Sequence, residues 1–127
     1  METVILRPHY LRKIMPYVDK GVIKVLTGQR RVGKSFILKS VADEIRKSDA
    51  EANFIFINLE DFAFSHIKDS VTLNEEISKR LSKSKKNYIF LDEVQEVEDF
   101  DKVVRSLNLN SQNDIYVTGS NSAMLSS

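Results

Sequence analysis

The chain has 127 residues, 42% apolar and 29% charged, with a net charge of +1. That length suits one domain with a buried core, and 19 basic against 18 acidic residues exclude bulk attraction to nucleic acid or anionic lipid. The absence of cysteine excludes a disulfide framework, a thiolate zinc site and a cysteine nucleophile, and no apolar run approaches the ~18 residues of a membrane span.

Residues 1–8 hold a short apolar patch, without a basic leader or a cleavage site of small residues. A cytoplasmic protein is the expectation. Leu11, Ile14, Met15 and Val18 then recur at helical spacing, with Pro8 near the first turn. Residues 22–26 read as the first of four apolar strands, continuous rather than alternating, as in strands buried on both faces of a parallel sheet.

That strand runs into Gly28-Gln29-Arg30-Arg31-Val32-Gly33-Lys34-Ser35, a full match to the phosphate-loop pattern. The glycines let successive N–H groups turn inward around phosphate oxygens, and the helix that follows adds its free N–H groups and positive dipole end. Lys34 supplies charge to the β- and γ-phosphates, and Ser35 offers a hard oxygen suited to magnesium. Gly28 and the run Arg31, Val32, Gly33, Lys34, Ser35 and Phe36 are the expected nucleotide contacts. The chemistry demands neither the Arg30 nor the Arg31 side chain, which read as solvated loop charges.

Ile37, Leu38, Val41, Ala42 and Ile45 mark a second helix, and residues 54–57 a second strand. Leu73, Ile77 and Leu81 follow at helical spacing, with Thr72 and Glu75 as a capping-box pattern. After the loop 82–86, the strand 88–91 ends in Asp92 and Glu93. An acid at such a strand end, downstream of a phosphate loop, holds magnesium, and an adjacent carboxylate polarises the attacking water. Asp92 is thus the metal candidate and Glu93 the catalytic one. Neighbours in an extended chain point oppositely, so only a turn at the strand end brings both to the phosphates. The later acids Glu96, Glu98, Asp99 and Asp101 read as helix N-terminal charges before Phe100, Val103, Val104 and Leu107.

The last strand, 115–117, leads into Thr118-Gly119-Ser120-Asn121-Ser122. Ligands gather beyond the carboxyl ends of parallel strands, so Thr118, Ser120 or Asn121 is placed to sense the γ-phosphate; ordinary turn chemistry explains the same residues. Strands alternating with helices imply an α/β fold of right-handed βαβ units, a three-layer αβα P-loop NTPase architecture with about four parallel strands.

The phosphate loop, the run Phe90-Leu91-Asp92-Glu93-Val94-Gln95 and Thr118-Gly119-Ser120-Asn121-Ser122 together resemble the prokaryotic AAA-type ATPases. In that family the P-loop core is followed by a C-terminal domain of uncharacterised function. The likeness extends over nearly the whole chain. The phosphate loop is shared by many families; the second and third runs joined are more particular. The resemblance implies that the strand 22–26 lies between the strand 115–117 and a further one. Only four strands fit, so that further strand, a helical lid and arginines reaching a neighbour's γ-phosphate are expected beyond residue 127, and the strand 22–26 is expected to be an edge that is weakly stable, self-associates, or is covered by residues 1–6. The chain therefore reads as the N-terminal part of a longer protein.

The expected activity is hydrolysis of ATP to ADP and phosphate with magnesium, with Lys34 and Glu93 as catalytic residues and Ser35 and Asp92 as metal ligands. The alternative is a nucleotide-dependent switch or binding module with little turnover. A small-molecule kinase fits less well, because the acid pair suits water as acceptor. The Asn-Lys-x-Asp guanine reader is absent. ATP and ADP are the expected ligands, and a homo-oligomer or a protein partner is left open.

Overall fold

The computed structural model describes residues 3–6, 11–28 and 33–119. The strands are β1 (Thr3–Leu6), β2 (Ile23–Thr27), β3 (Asn53–Asn58), β4 (Asn87–Asp92) and β5 (Asn113–Gly119). They form one sheet in the order β1-β2-β5-β4-β3, with every pairing parallel. The helices are α1 (Leu11–Ile14), α2 (Lys34–Ser48), α3 (Ser70–Ser78) and α4 (Phe100–Asn108).

Among the described residues the sheet has five strands where the sequence suggested four. The added strand is β1, whose Thr3 pairs with Ile23 and Leu6 with Leu26. It takes the flank of β2 that the resemblance reserves for a strand further along. The physical reason is the open edge of β2, whose N–H and C=O groups accept any extended neighbour. Thr3-Val4-Ile5-Leu6 is β-branched and apolar enough to supply one, so of the outcomes expected for that edge the cover by residues 1–6 is the one found.

Two local expectations shift as well. The helical spacing over 11–18 becomes α1 followed by a 3-10 turn at Met15–Tyr17, since Pro16 cannot donate an intrahelical N–H. The cap of α3 is Asp69, not Thr72. The Asp69 carboxylate accepts the Thr72 N–H at 2.9 Å, and Thr72 answers from the third helical position.

Strand residues alternate in chemistry between the two faces. One face carries Ile23, Val25, Ile55, Ile57, Ile89, Leu91, Ile115 and Val117 against Leu73 and Ile77 of α3 and Val103, Val104 and Leu107 of α4. The other carries Leu26, Phe54, Phe56, Tyr88, Phe90 and Tyr116 against Ile14 of α1 and Leu38, Val41, Ala42 and Ile45 of α2. Strands β2, β4 and β5 are buried along their whole length, as continuous apolar runs require. The aromatic face is stacked in register, with ring centroids 4.6 Å apart for Phe56–Phe90 and 4.7 Å for Phe90–Tyr116. Each such pair contributes about 0.5–1.5 kcal/mol beyond its buried area.

Polar networks tie down the amino ends of the strands. Asn53, Asn87 and Asn113 stand in register on β3, β4 and β5. The Asn53 amide donates to Asn87 Oδ1 at 2.8 Å, and the Asn87 amide to Asn113 Oδ1 at 3.1 Å. Beside them Lys24, fully buried, pairs with Asp114, and the Tyr116 hydroxyl donates to Asp114 at 2.6 Å. Burial pulls the Lys24 ammonium below its ordinary range, against the opposing pull of Asp114. Burial, reinforced by Asp114, pushes the Tyr116 hydroxyl well above its ordinary range. The opposite, carboxyl ends of the strands are therefore free to carry a site.

Candidate nucleotide-binding site

The carboxyl ends of β2, β4 and β5 converge on the first turn of α2. Gly28 follows β2 with φ at 150°, and Gly33 caps α2 at φ 81° and ψ 22°. At Gly33 a Cβ would meet nothing within 4 Å, so the glycine answers to backbone conformation rather than space. The left-handed cap turns the chain so that α2 begins at Lys34 with its N-terminus facing the strand ends.

Lys34 is 3% exposed. Its ammonium donates to the carbonyl of Gly28 at 2.9 Å and to that of Gly119 at 3.0 Å, bridging the ends of β2 and β5, and lies 3.7 Å from Glu93 Oε2. The side chain points to the carboxyl ends of β2 and β5. Ser35 Oγ donates to Asp92 Oδ2, so these two hard oxygens lie side by side although 57 positions apart.

Asp92 is the last residue of β4, and Glu93 takes the left-handed conformation at φ 60° and ψ 55°. That turn decides the site. It costs a non-glycine residue roughly 1–2 kcal/mol, and it brings both acids to the same end of the sheet: Asp92 to Ser35, Glu93 to Lys34. A single 3-10 turn, Val94–Glu96, follows, anchored by the fully buried Val94. Gln95 on this turn donates its amide to Glu93 Oε1 at 2.7 Å.

Thr118, fully buried near the end of β5, bonds to both acids: its hydroxyl donates to Asp92 Oδ1 and accepts the Glu93 N–H at 2.9 Å. Its hydroxyl thus serves the acid pair. Phe36 lies on the first turn of α2, 71% exposed. Arg30, Arg31, Val32, Ser120 and Asn121 lie outside the described residues. Among the later acids, Glu96 lies on the 3-10 turn and Glu98 bridges to Asp69, whereas Asp99 and Asp101 do stand at the start of α4.

Sequence reasoning did not single out the end of β3. Asn58 pairs in register with Asp92, and both line a cavity of about 280 Å³ together with Ser35, Lys39, Asp61, Phe64 and Phe90. The available signal was a polar residue closing an apolar strand, the same signal that marked Asp92. Among the described residues no group of three or more His, Cys, Asp or Glu side chains could hold a metal unaided. Ser35 and Asp92 nonetheless fit magnesium, which keeps several waters and binds through one or two protein oxygens together with substrate phosphates.

The family model of the AAA domain matches residues 20–127. The chain belongs to the AAA domain family. This AAA domain is 34% identical over 127 residues to an uncharacterised protein of Haemophilus influenzae, covering 98% of this chain and 32% of that protein. It is 40% identical over 104 residues to an uncharacterised protein of Methanocaldococcus jannaschii, covering 82% of this chain and 22% of that protein. It therefore spans a third or less of the length of these relatives. Membership makes it a P-loop ATPase-like, nucleotide-binding domain. No helix among the described residues is long and apolar enough to cross a membrane.

Proposed function

We propose that this AAA domain, residues 1–127, hydrolyses ATP to ADP and phosphate with magnesium. The observation that carries the reading is the convergence of Ser35 and Asp92 with Lys34 and Glu93 at one end of the sheet, achieved by the left-handed turn at Glu93. Lys34 neutralises charge on the β- and γ-phosphates. Ser35 and Asp92 would hold magnesium, which supplies electrostatic stabilisation of the phosphoryl oxygens. Glu93 polarises the attacking water, and Gly28, Gly33 and the N-terminus of α2 cradle the phosphates.

Residues 31, 32 and 36 complete the proposed nucleotide contacts, and Thr118 and Ser120 form the proposed phosphate-sensing set. The assignment of a cytoplasmic location, and of a further protein or a second copy as partner, belongs to the same proposal. Titration calorimetry of Mg-ATP against the parent and Lys34→Ala tests the binding half; equal affinities would remove the phosphate-loop assignment. Phosphate release tests the chemical half. Glu93→Gln should retain nucleotide and slow turnover, and Asp92→Asn should weaken the magnesium dependence of binding. Magnesium-dependent binding without any turnover would favour the nucleotide switch instead.

A further inference from the structure

Gln95 belongs to no part of the mechanism above, yet one end of its amide is held by the site and the other is not. Nε2 donates to Glu93 Oε1 at 2.7 Å. The reverse orientation would set a carbonyl oxygen against a carboxylate oxygen, two acceptors without a proton between them. The orientation is thus determined, and it turns Oε1 the other way. Oε1 is the buried side-chain polar atom that finds no hydrogen-bond donor among the described residues. A buried carbonyl in that condition is destabilising unless a donor comes to it. The backbone beneath it is fixed, because Val94 is buried and the turn is closed by Glu96 N–H to Glu93 O at 3.2 Å and Val97 N–H to Val94 O at 3.0 Å.

We infer that Gln95 is a further residue of the hydrolytic machinery: its amide N–H fixes the Glu93 carboxylate, and its Oε1 accepts the second O–H of the water that Glu93 polarises. A water has two protons. With one directed to Glu93 and the other to Gln95, its lone pair is left for phosphorus. The water oxygen then bonds to the γ-phosphorus, and the bond from that phosphorus to the β,γ-bridging oxygen breaks, its electron pair leaving with ADP. The proton goes to the Glu93 carboxylate and from there to the released phosphate. Two acceptors define the direction of attack where one leaves the water free to rotate about a single hydrogen bond.

The inference rests on the hydrolase reading, and its test separates the two. Gln95→Met keeps the bulk and removes both polar contacts. In single-turnover hydrolysis its rate should fall about tenfold to a hundredfold, the loss expected for one oriented hydrogen bond in a transition state. Its affinity for Mg-ADP should stay within about twofold. In a Glu93→Gln background the same change should add little, since the water is no longer polarised. Independently of activity, the side-chain amide resonances of Gln95 in the parent should move when Mg-ADP with aluminium fluoride is added, and move less with Mg-ADP alone. This readout also serves if Gln95→Met does not fold. Parental hydrolysis by Gln95→Met, a full additional loss in the Glu93→Gln background, or unmoved amide resonances would each overturn the role of Gln95 while leaving the hydrolase reading standing. Unchanged Mg-ATP affinity in Lys34→Ala, or no hydrolysis by the parent, would overturn the hydrolase reading and this inference with it.

Discussion

The Thr118 hydroxyl oxygen accepts the backbone N–H of Glu93 at 2.9 Å, tying the end of β5 to the left-handed turn after β4. The same hydroxyl donates to Asp92, so one side chain holds both acids from the neighbouring strand. Thr118→Val keeps the shape and removes both bonds, leaving a buried N–H without an acceptor. The expected cost is about 1–3 kcal/mol in urea denaturation, with weaker magnesium dependence of nucleotide binding. Thr118→Ser should recover most of both. An unchanged urea midpoint for Thr118→Val would show that the turn at Glu93 holds itself.

Removing residues 1–6 takes away β1 and uncovers the N–H and C=O groups along β2. An open, apolar parallel edge pairs readily with another chain. The shortened protein should self-associate with rising concentration in sedimentation velocity, while the parent should not do so through this edge. A shortened protein that stays monomeric and equally stable would mean that the edge is protected by something other than β1.

Asn87 uses its amide fully. Nδ2 donates to Ser82 O at 3.0 Å and to Asn113 Oδ1 at 3.1 Å, while Oδ1 accepts from Asn53 at 2.8 Å and from the Ser82 N–H at 2.9 Å. Asn87→Leu keeps the branched shape but strands these partners in a site where Asn87 is 2% exposed. A loss of about 2–4 kcal/mol is expected by denaturant titration. Nucleotide affinity should change little, because the ladder lies at the amino ends of the strands.

The Tyr116 hydroxyl is pushed well above its ordinary value of 10.0 by burial and then by Asp114. A folded-state value raised above the unfolded one contributes stability that is complete below about pH 10 and is lost as pH rises further. Near neutral pH the parent should exceed Tyr116→Phe by about 1–3 kcal/mol, the worth of a hydrogen bond to a charged group. Above pH ~10 that advantage should shrink by about 1.4 kcal/mol per pH unit. Paired urea titrations from pH 7 to about 11 measure the difference directly and cancel the contributions of other groups; a constant gap would contradict it.

The glycine turn into α2 was legible because its demands are local. Gly33 must adopt φ 81° and Lys34 must open α2, and both follow from backbone geometry within a few residues. The continuous apolar runs of β2, β4 and β5 announced burial on both faces for the same reason. The cap of α3 was misplaced by three residues because Asp69 and Thr72 both carry capping side chains, and sequence spacing does not choose between them.

By itself the sequence determined the alternation of strands and helices, the phosphate loop, and the chemistry of Lys34, Ser35, Asp92 and Glu93 as candidates. Tertiary structure alone decided that Thr3–Leu6 covers the edge of β2, one of the outcomes the sequence left open, that Glu93 turns left-handed so both acids face one way, and that Thr118 and Gln95 hold them. Ser35 meets Asp92 across 57 positions and Lys34 meets Gly119 across 85. Contacts of that span depend on which strands lie side by side. That order is settled by packing two unlike faces, one aliphatic and one aromatic, against their helices, and local propensity carries no record of it.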